Sequence, residues 1–210
     1  VVKTFSEENL QQLYDLVARR DKDLKAIIKE YGYPPIWIRP NSFETLVLTI
    51  LEQQVSLASA YSAYKKLKER INVTPKNLLQ LTDKEMRSCY LSRQKIVYTR
   101  ELANAIDGKR ISLKKFEELP DDVVRSELKA LKGIGDWTVD IYLLHALRRL
   151  DVFPIGDLAL VNAIKMVKQI QSVTKEELSA LSERWKPYRS LATMVFWHYY
   201  IKKKNIKILH

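Results

Sequence analysis

The chain has one cysteine, three histidines and five glycines in 210 residues, and each scarcity closes a class of explanation. A lone Cys89 permits no internal disulfide and no cysteine-built zinc or iron–sulfur site. His145, His198 and His210 form no closely spaced helical metal pair, which leaves His145 as a packing or surface residue of its helix. No apolar run approaches the roughly 20 residues that cross a bilayer. The start, "VVKTFSEENLQQ", lacks a signal-peptide core, so a soluble, intracellular protein is expected.

Positive charge is in excess. Thirty-six Lys and Arg stand against 25 Asp and Glu, a net +11. That balance favours a polyanionic partner, nucleic acid before membrane, although a basic protein can also be merely soluble. A hydrophobic content of 46% argues against wholesale disorder, and the length suits one domain or two small lobes.

The apolar spacing is helical nearly throughout, and an all-α fold is expected. Helices are predicted over residues 6–19 and 21–31, the second ending at Gly32. "YPPIWIRP" is the one clear linker. Asn41 with Glu44 reads as a capping box opening "FETLVLTILEQ", which is apolar nearly all round and so central to the core. A "QQVS" break follows, and Ser56 can cap the next helix. Thr74-Pro75, Thr82 with Glu85 and Thr174 with Glu177 mark further starts. "SRQKIVYTRELANAID" is helical up to Gly108, Asp157 opens another helix, and a last one runs from Tyr188 to about Lys203. Only "KRISL" has any extended character.

Two of the scarce glycines lie one residue apart in "LKGIGDWTVDIYLLHAL". Gly133 and Gly135 allow a tight turn and bare successive N–H groups before a helix N-terminus. With Lys132 this is a concave site for an anion such as a DNA phosphate. The plainer reading is that Gly133 only caps the preceding helix.

"LKGIGDWTVD" resembles the helix–hairpin–helix motif of a DNA-glycosylase superfamily. "DVFPIGDLAL" resembles the Gly/Pro loop and aspartate that follow it there. "ERWKPYRSLATMVFWHYY" is similar to the final helices of the AlkA-type 3-methyladenine glycosylases, and "FETLVLTILEQQVSLASA" and "YLSRQKIVYTRELANAI" also resemble that branch. The similarity covers residues from about 35 to 203. It implies the compact form, without an N-terminal β-rich domain. Lys132 departs from the motif's proline, and Asp136 sets an acid beside the phosphate site.

The resemblance implies two helical lobes with a lesion cleft between them. Residues 1–39 plus 131–210 would carry the hairpin and catalytic loop, and residues 40–130 the central bundle. It implies a monofunctional enzyme that flips alkylated purines, 3-methyladenine and 7-methylguanine, out of double-stranded DNA and hydrolyses their glycosidic bond. Asp157 would be catalytic, beside its commoner role as a helix cap. Trp137 and Trp197, with Tyr142 and Tyr188, would line the base pocket, where aromatic faces attract a cationic base. Gln54 would be the wedge filling the gap in the stack. Trp137 stands where lyase members carry lysine, so no Schiff-base step is expected. Lys132, Gly133, Ile134 and Gly135 would grip phosphate. The carbonyls of Lys129, Leu131 and Ile134 would hold a structural Na+ or K+. No catalytic cofactor, no iron–sulfur cluster and no membrane partner are implied, and a monomer is expected. The location would be cytoplasm or nucleoid in a prokaryote, nucleus in a eukaryote. Other lesions (uracil, hypoxanthine, oxidised guanine), a non-catalytic DNA-binding module and a helical protein scaffold are the alternatives.

Overall fold

The computed structural model describes residues 3–206; His210 lies outside them. Among the described residues there is no strand, only an isolated antiparallel bridge between Thr4 and Arg149, so the fold is all-α. "KRISL" forms no ladder, and Ile111 instead donates its N–H to the Ala105 carbonyl at 3.0 Å. No helix among the described residues is long and apolar enough to cross a membrane.

The chain divides into two compact units. Among the described residues, one is Lys3–Ile38 with residues 143–206, and the other is Arg39–Tyr142. The glycine hairpin therefore belongs to the middle unit and not, as expected, to the terminal one. The cause is local, because residues 53, 98 and 125 of the middle unit fasten it.

In the terminal unit, α1 (Leu10–Ala18) begins later than the apolar spacing predicts, because Asn9 Oδ1 takes the Ser6 N–H at 2.8 Å and holds the first residues in a turn. Helix α2 (Lys22–Tyr31) is capped by Asp21 and ends at Gly32, where φ is +78°. In the middle unit, α3 (Phe43–Glu52) is the hub. Leu46, Val47, Ile50 and Leu51 have no exposed surface. Its neighbours are α4 (Leu57–Arg70) and, after α5 (Pro75–Gln80) and α6 (Asp83–Ser88), α7 (Arg93–Asp107). Then come α8 (Leu113–Phe116), α9 (Asp121–Lys129) and α10 (Asp136–His145). The terminal unit resumes with α11 (Leu158–Lys168), α12 (Lys175–Ser182) and α13 (Arg189–Lys203), and α13 packs on α1, α2 and α11.

Most starts follow cap chemistry. Ser56, Thr74 and Ser92 each accept a first-turn N–H, and Thr82–Glu85 and Thr174–Glu177 form complete capping boxes. The box expected at Asn41–Glu44 does not form. Ser42 caps α3, its hydroxyl accepting the Thr45 N–H at 3.2 Å. Asn41 is spent on packing: its amide donates to the Leu113 carbonyl and to Glu117, both at 2.9 Å, and it accepts the Tyr142 hydroxyl at 2.5 Å.

The last residue of α3 carries the middle unit's best-defined ion pair. Arg39 grips Glu52 with both terminal nitrogens at 2.8 and 2.7 Å, and the Glu52 side chain is only 5% exposed. Glu52→Ala would strand the guanidinium and is expected to cost about 3 kcal/mol. Urea unfolding checks this, and an unchanged midpoint would show that solvent already screens the pair.

Candidate active site

The "QQVS" break gives two adjacent glutamines opposite tasks. Gln53 is half-buried, and its amide donates to the Gly133 carbonyl and the Thr138 hydroxyl, both at 2.9 Å. Its two donor hydrogens are divided between the hairpin and the first turn of the helix that follows it. Gln54 turns outward with φ at +57°, exposed beside Val55. A left-handed glutamine is uncommon and costs backbone strain, so the break is a shaped feature and not a frayed helix end. Lys95 on α7 fixes its start by donating to the Leu51 carbonyl, and burial holds that ammonium below its ordinary value.

The hairpin itself, residues 130–135, joins α9 to α10. Gly133 has φ +88°, and a Cβ there would lie 2.0 Å from Cγ of the Tyr98 ring. Bareness is thus required twice, once by the backbone and once by the tyrosine lying over the turn. Gly135 has no such neighbour, and its carbonyl accepts the Val139 N–H as α10 begins. Ile134 N–H returns to the Leu131 carbonyl at 3.2 Å. Two ion pairs brace the helices on either side, Lys129–Asp136 and Arg125–Asp140, each at 2.5 Å. The first answers the difficulty of an acid beside an anion site, since Asp136 already carries a countercharge. Lys132 is exposed at the turn, and Trp137 is half-buried in the first turn of α10.

Asp157 lies in the terminal unit, where "FPIG" leads into α11. It is the N-cap, with Oδ1 accepting the Leu160 N–H at 2.8 Å. The same oxygen accepts the indole N–H of Trp197 at 2.9 Å. The residue is partly exposed, so an anionic acceptor is held in place at a helix N-terminus without being sealed in. Asp151, six residues earlier, is paired with Arg189 at 2.7 Å and serves structure.

The four expected pocket aromatics fare differently. Tyr142 has no exposed surface and stands edge-on to Phe116, so it is a core residue and not a pocket face. Tyr188 is partly exposed, but the Arg20 guanidinium sits over its ring at 5.2 Å, already supplying a cation. Trp197 is only 8% exposed and meets the site through its N–H to Asp157. Trp137 is half-buried and keeps part of its surface exposed. The sequence reading missed Gln53, Tyr98 and Arg125. Neither their types nor their spacing distinguishes them from ordinary helix residues. Among the described residues no cluster of His, Cys, Asp or Glu side chains could hold a metal.

Residues 47–187 match the family described as HhH-GPD superfamily base excision DNA repair protein. The chain is 28% identical to the putative DNA-3-methyladenine glycosylase YfjP of Bacillus subtilis, covering 91% of this chain and 69% of that protein. It is 28% identical to DNA-3-methyladenine glycosylase 1 of Schizosaccharomyces pombe, over 84% of this chain and 82% of the relative. Among solved structures, the S. pombe 3-methyladenine DNA glycosylase Mag1 in complex with abasic DNA superposes with a TM-score of 0.82 at 27% identity. That match covers 89% of this chain and 95% of Mag1.

Proposed function

Because the chain belongs to the HhH-GPD superfamily of base excision DNA repair proteins, we propose that it is a monofunctional DNA glycosylase that excises alkylated purines, 3-methyladenine foremost, from double-stranded DNA. The observation that carries the chemistry is the Asp157 carboxylate, fixed by Leu160 N–H and Trp197 N–H at the head of α11.

Alkylation at N3 or N7 leaves the purine positively charged. When the glycosidic bond breaks, the base takes the bonding pair and departs neutral, so the sugar is where positive charge develops. A fixed carboxylate stabilises that charge. Water then bonds to the anomeric carbon and gives a proton to Asp157, which passes it to solvent, leaving an abasic site. Trp137 offers no amine where a lyase needs one, and Lys132, exposed in the turn, lies five residues before it.

The middle unit supplies the DNA grip. The hairpin N–H groups at Gly133 and Gly135, with the Lys132 charge, suit a phosphate, while the Ile134 N–H is spent on the Leu131 carbonyl and leaves Ile134 to shape the turn. Gln54, outward and fixed in a left-handed turn, suits the wedge. The carbonyls of Lys129, Leu131 and Ile134 offer the oxygen donors that a hard monovalent ion takes, and the Leu131 carbonyl keeps a second lone pair beside its bond to Ile134. The protein would act inside the cell, where its DNA is.

Single-turnover assays on duplexes carrying 3-methyladenine, 7-methylguanine or neutral ethenoadenine test the reading. The cationic bases are expected to leave about tenfold faster or more, since cation–π attraction at Trp137 adds about 0.5–2 kcal/mol to their better leaving ability. No release of any methylated base would overturn it.

A further inference from the structure

We propose that Trp197 is a positioning residue for Asp157, aiming the carboxylate through its indole N–H, and that His145 holds the indole in place for that task. The proposal rests on Asp157 being the reacting carboxylate.

The terminal unit contains its own comparison. Asp21 and Asp157 are both aspartates at helix N-caps, and each accepts an indole N–H, from Trp185 at 3.0 Å and from Trp197 at 2.9 Å. At Asp21 the two oxygens share the work. Oδ1 takes the N–H groups of Asp23 and Leu24, Oδ2 takes the indole, and Lys168 and Arg184 stand 3.8 Å from Oδ2. That residue is 4% exposed and serves as a sealed structural knot. At Asp157 both the helix N–H and the indole converge on Oδ1, and the residue stays partly open. Two donors on one oxygen from different directions fix the plane of a carboxylate, and with it the direction in which Oδ2 points.

An indole can aim a carboxylate only if it is itself immobile. Trp197 is held on its face by His145, stacked at 5.5 Å and 13° from parallel, and meets Trp37 in a T-shaped contact at 6.4 Å and 68°. His145 Nδ1 lies 2.6 Å from the Trp37 carbonyl oxygen, which can only accept, so Nδ1 carries the hydrogen. Trp197 and His145 are each 8% exposed. One face of the indole is therefore covered, and this tryptophan acts on the chemistry rather than as an open platform for the base.

The test replaces Trp197 by benzothienylalanine, which keeps the shape and puts sulfur in place of the N–H, in the wild-type and Asp157→Asn backgrounds. Trp185→Phe serves as the structural comparison. Single-turnover base release, affinity for abasic-analogue DNA and Tm are measured for each. Misaiming a reacting group costs up to about a hundredfold, so the expected result is a ten- to hundredfold slower step, with DNA affinity within about twofold and Tm held. In the Asp157→Asn background the replacement should cost nothing further, because a residue acting only through Asp157 has nothing left to aim. Trp185→Phe should lower Tm and leave the rate constant of the folded fraction alone. An unchanged rate, or the same loss in both backgrounds, overturns the proposal while the Asp157 reading stands. Full activity in Asp157→Asn alone overturns the reading beneath it, and the proposal with it.

Discussion

Asp157→Asn is expected to slow single-turnover base release by about 10²- to 10³-fold, the range lost when a fixed charge stabiliser or general base is removed. Asparagine makes the test sharp. It caps helices as well as aspartate does, its Oδ1 can still accept from Leu160 N–H and Trp197 N–H, and its volume is the same. What disappears is the negative charge and the ability to take a proton from water. Tm should therefore move little. Asp157→Ala, by contrast, also removes the cap of α11 and should cost about 1 kcal/mol of stability. A slow but stable Asn variant assigns the residue to chemistry. An Asn variant with full activity would reduce Asp157 to a cap, and the reaction would have to be found elsewhere.

The second large effect is expected at Gly133. Alanine there must hold φ near +88°, a cost of about 1–2 kcal/mol, and its Cβ would fall inside the Tyr98 ring. The atom met first is Cγ, at the root of the ring, so no small rotation of the side chain relieves the overlap. The turn must open. Gln53 would then lose the Gly133 carbonyl, and the bond from Ile134 N–H to the Leu131 carbonyl that closes the turn would be disturbed. Gly133→Ala should weaken DNA binding about ten- to a hundredfold, the equivalent of one or two charge-assisted hydrogen bonds. Adding Tyr98→Ala should recover part of the stability, because it makes room without easing the backbone. Gly135→Ala meets open space and has ordinary φ, so it should be close to neutral. Equal effects at the two glycines would contradict this account.

What the sequence made legible was local. A Ser or Thr ahead of an apolar run and a Glu three residues on are read within one turn of helix, and Ser56, Thr82–Glu85 and Thr174–Glu177 behave accordingly. Asn41 shows where that logic stops. A neighbouring serine could cap as well, and a tertiary partner, Tyr142, claimed the asparagine. The candidate site divides the same way. Gly133, Asp157 and the outward Gln54 stand at punctuation in the pattern, so they could be found by reading along the chain. Tyr98 over Gly133, Gln53 beneath the hairpin and Trp197 bonded to Asp157 are contacts across 35, 80 and 40 positions. Helical periodicity says only that such residues face inward, not what they face. Tyr142 was misplaced for that reason, since an aromatic on a buried stripe looks the same whether it lines a pocket or fills a core.

The two hydrogen bonds of Gln53 also make the hairpin and the outward turn at Gln54 a single mechanical piece. If, as proposed, the hairpin grips the sugar–phosphate chain and Gln54 probes the stack, the piece measures a fixed distance along the strand. The number of nucleotides between the held phosphate and the probed step is then set by the fold, before any base has been recognised. Search along DNA would proceed in a constant frame, with the probe arriving at the same offset at every stop.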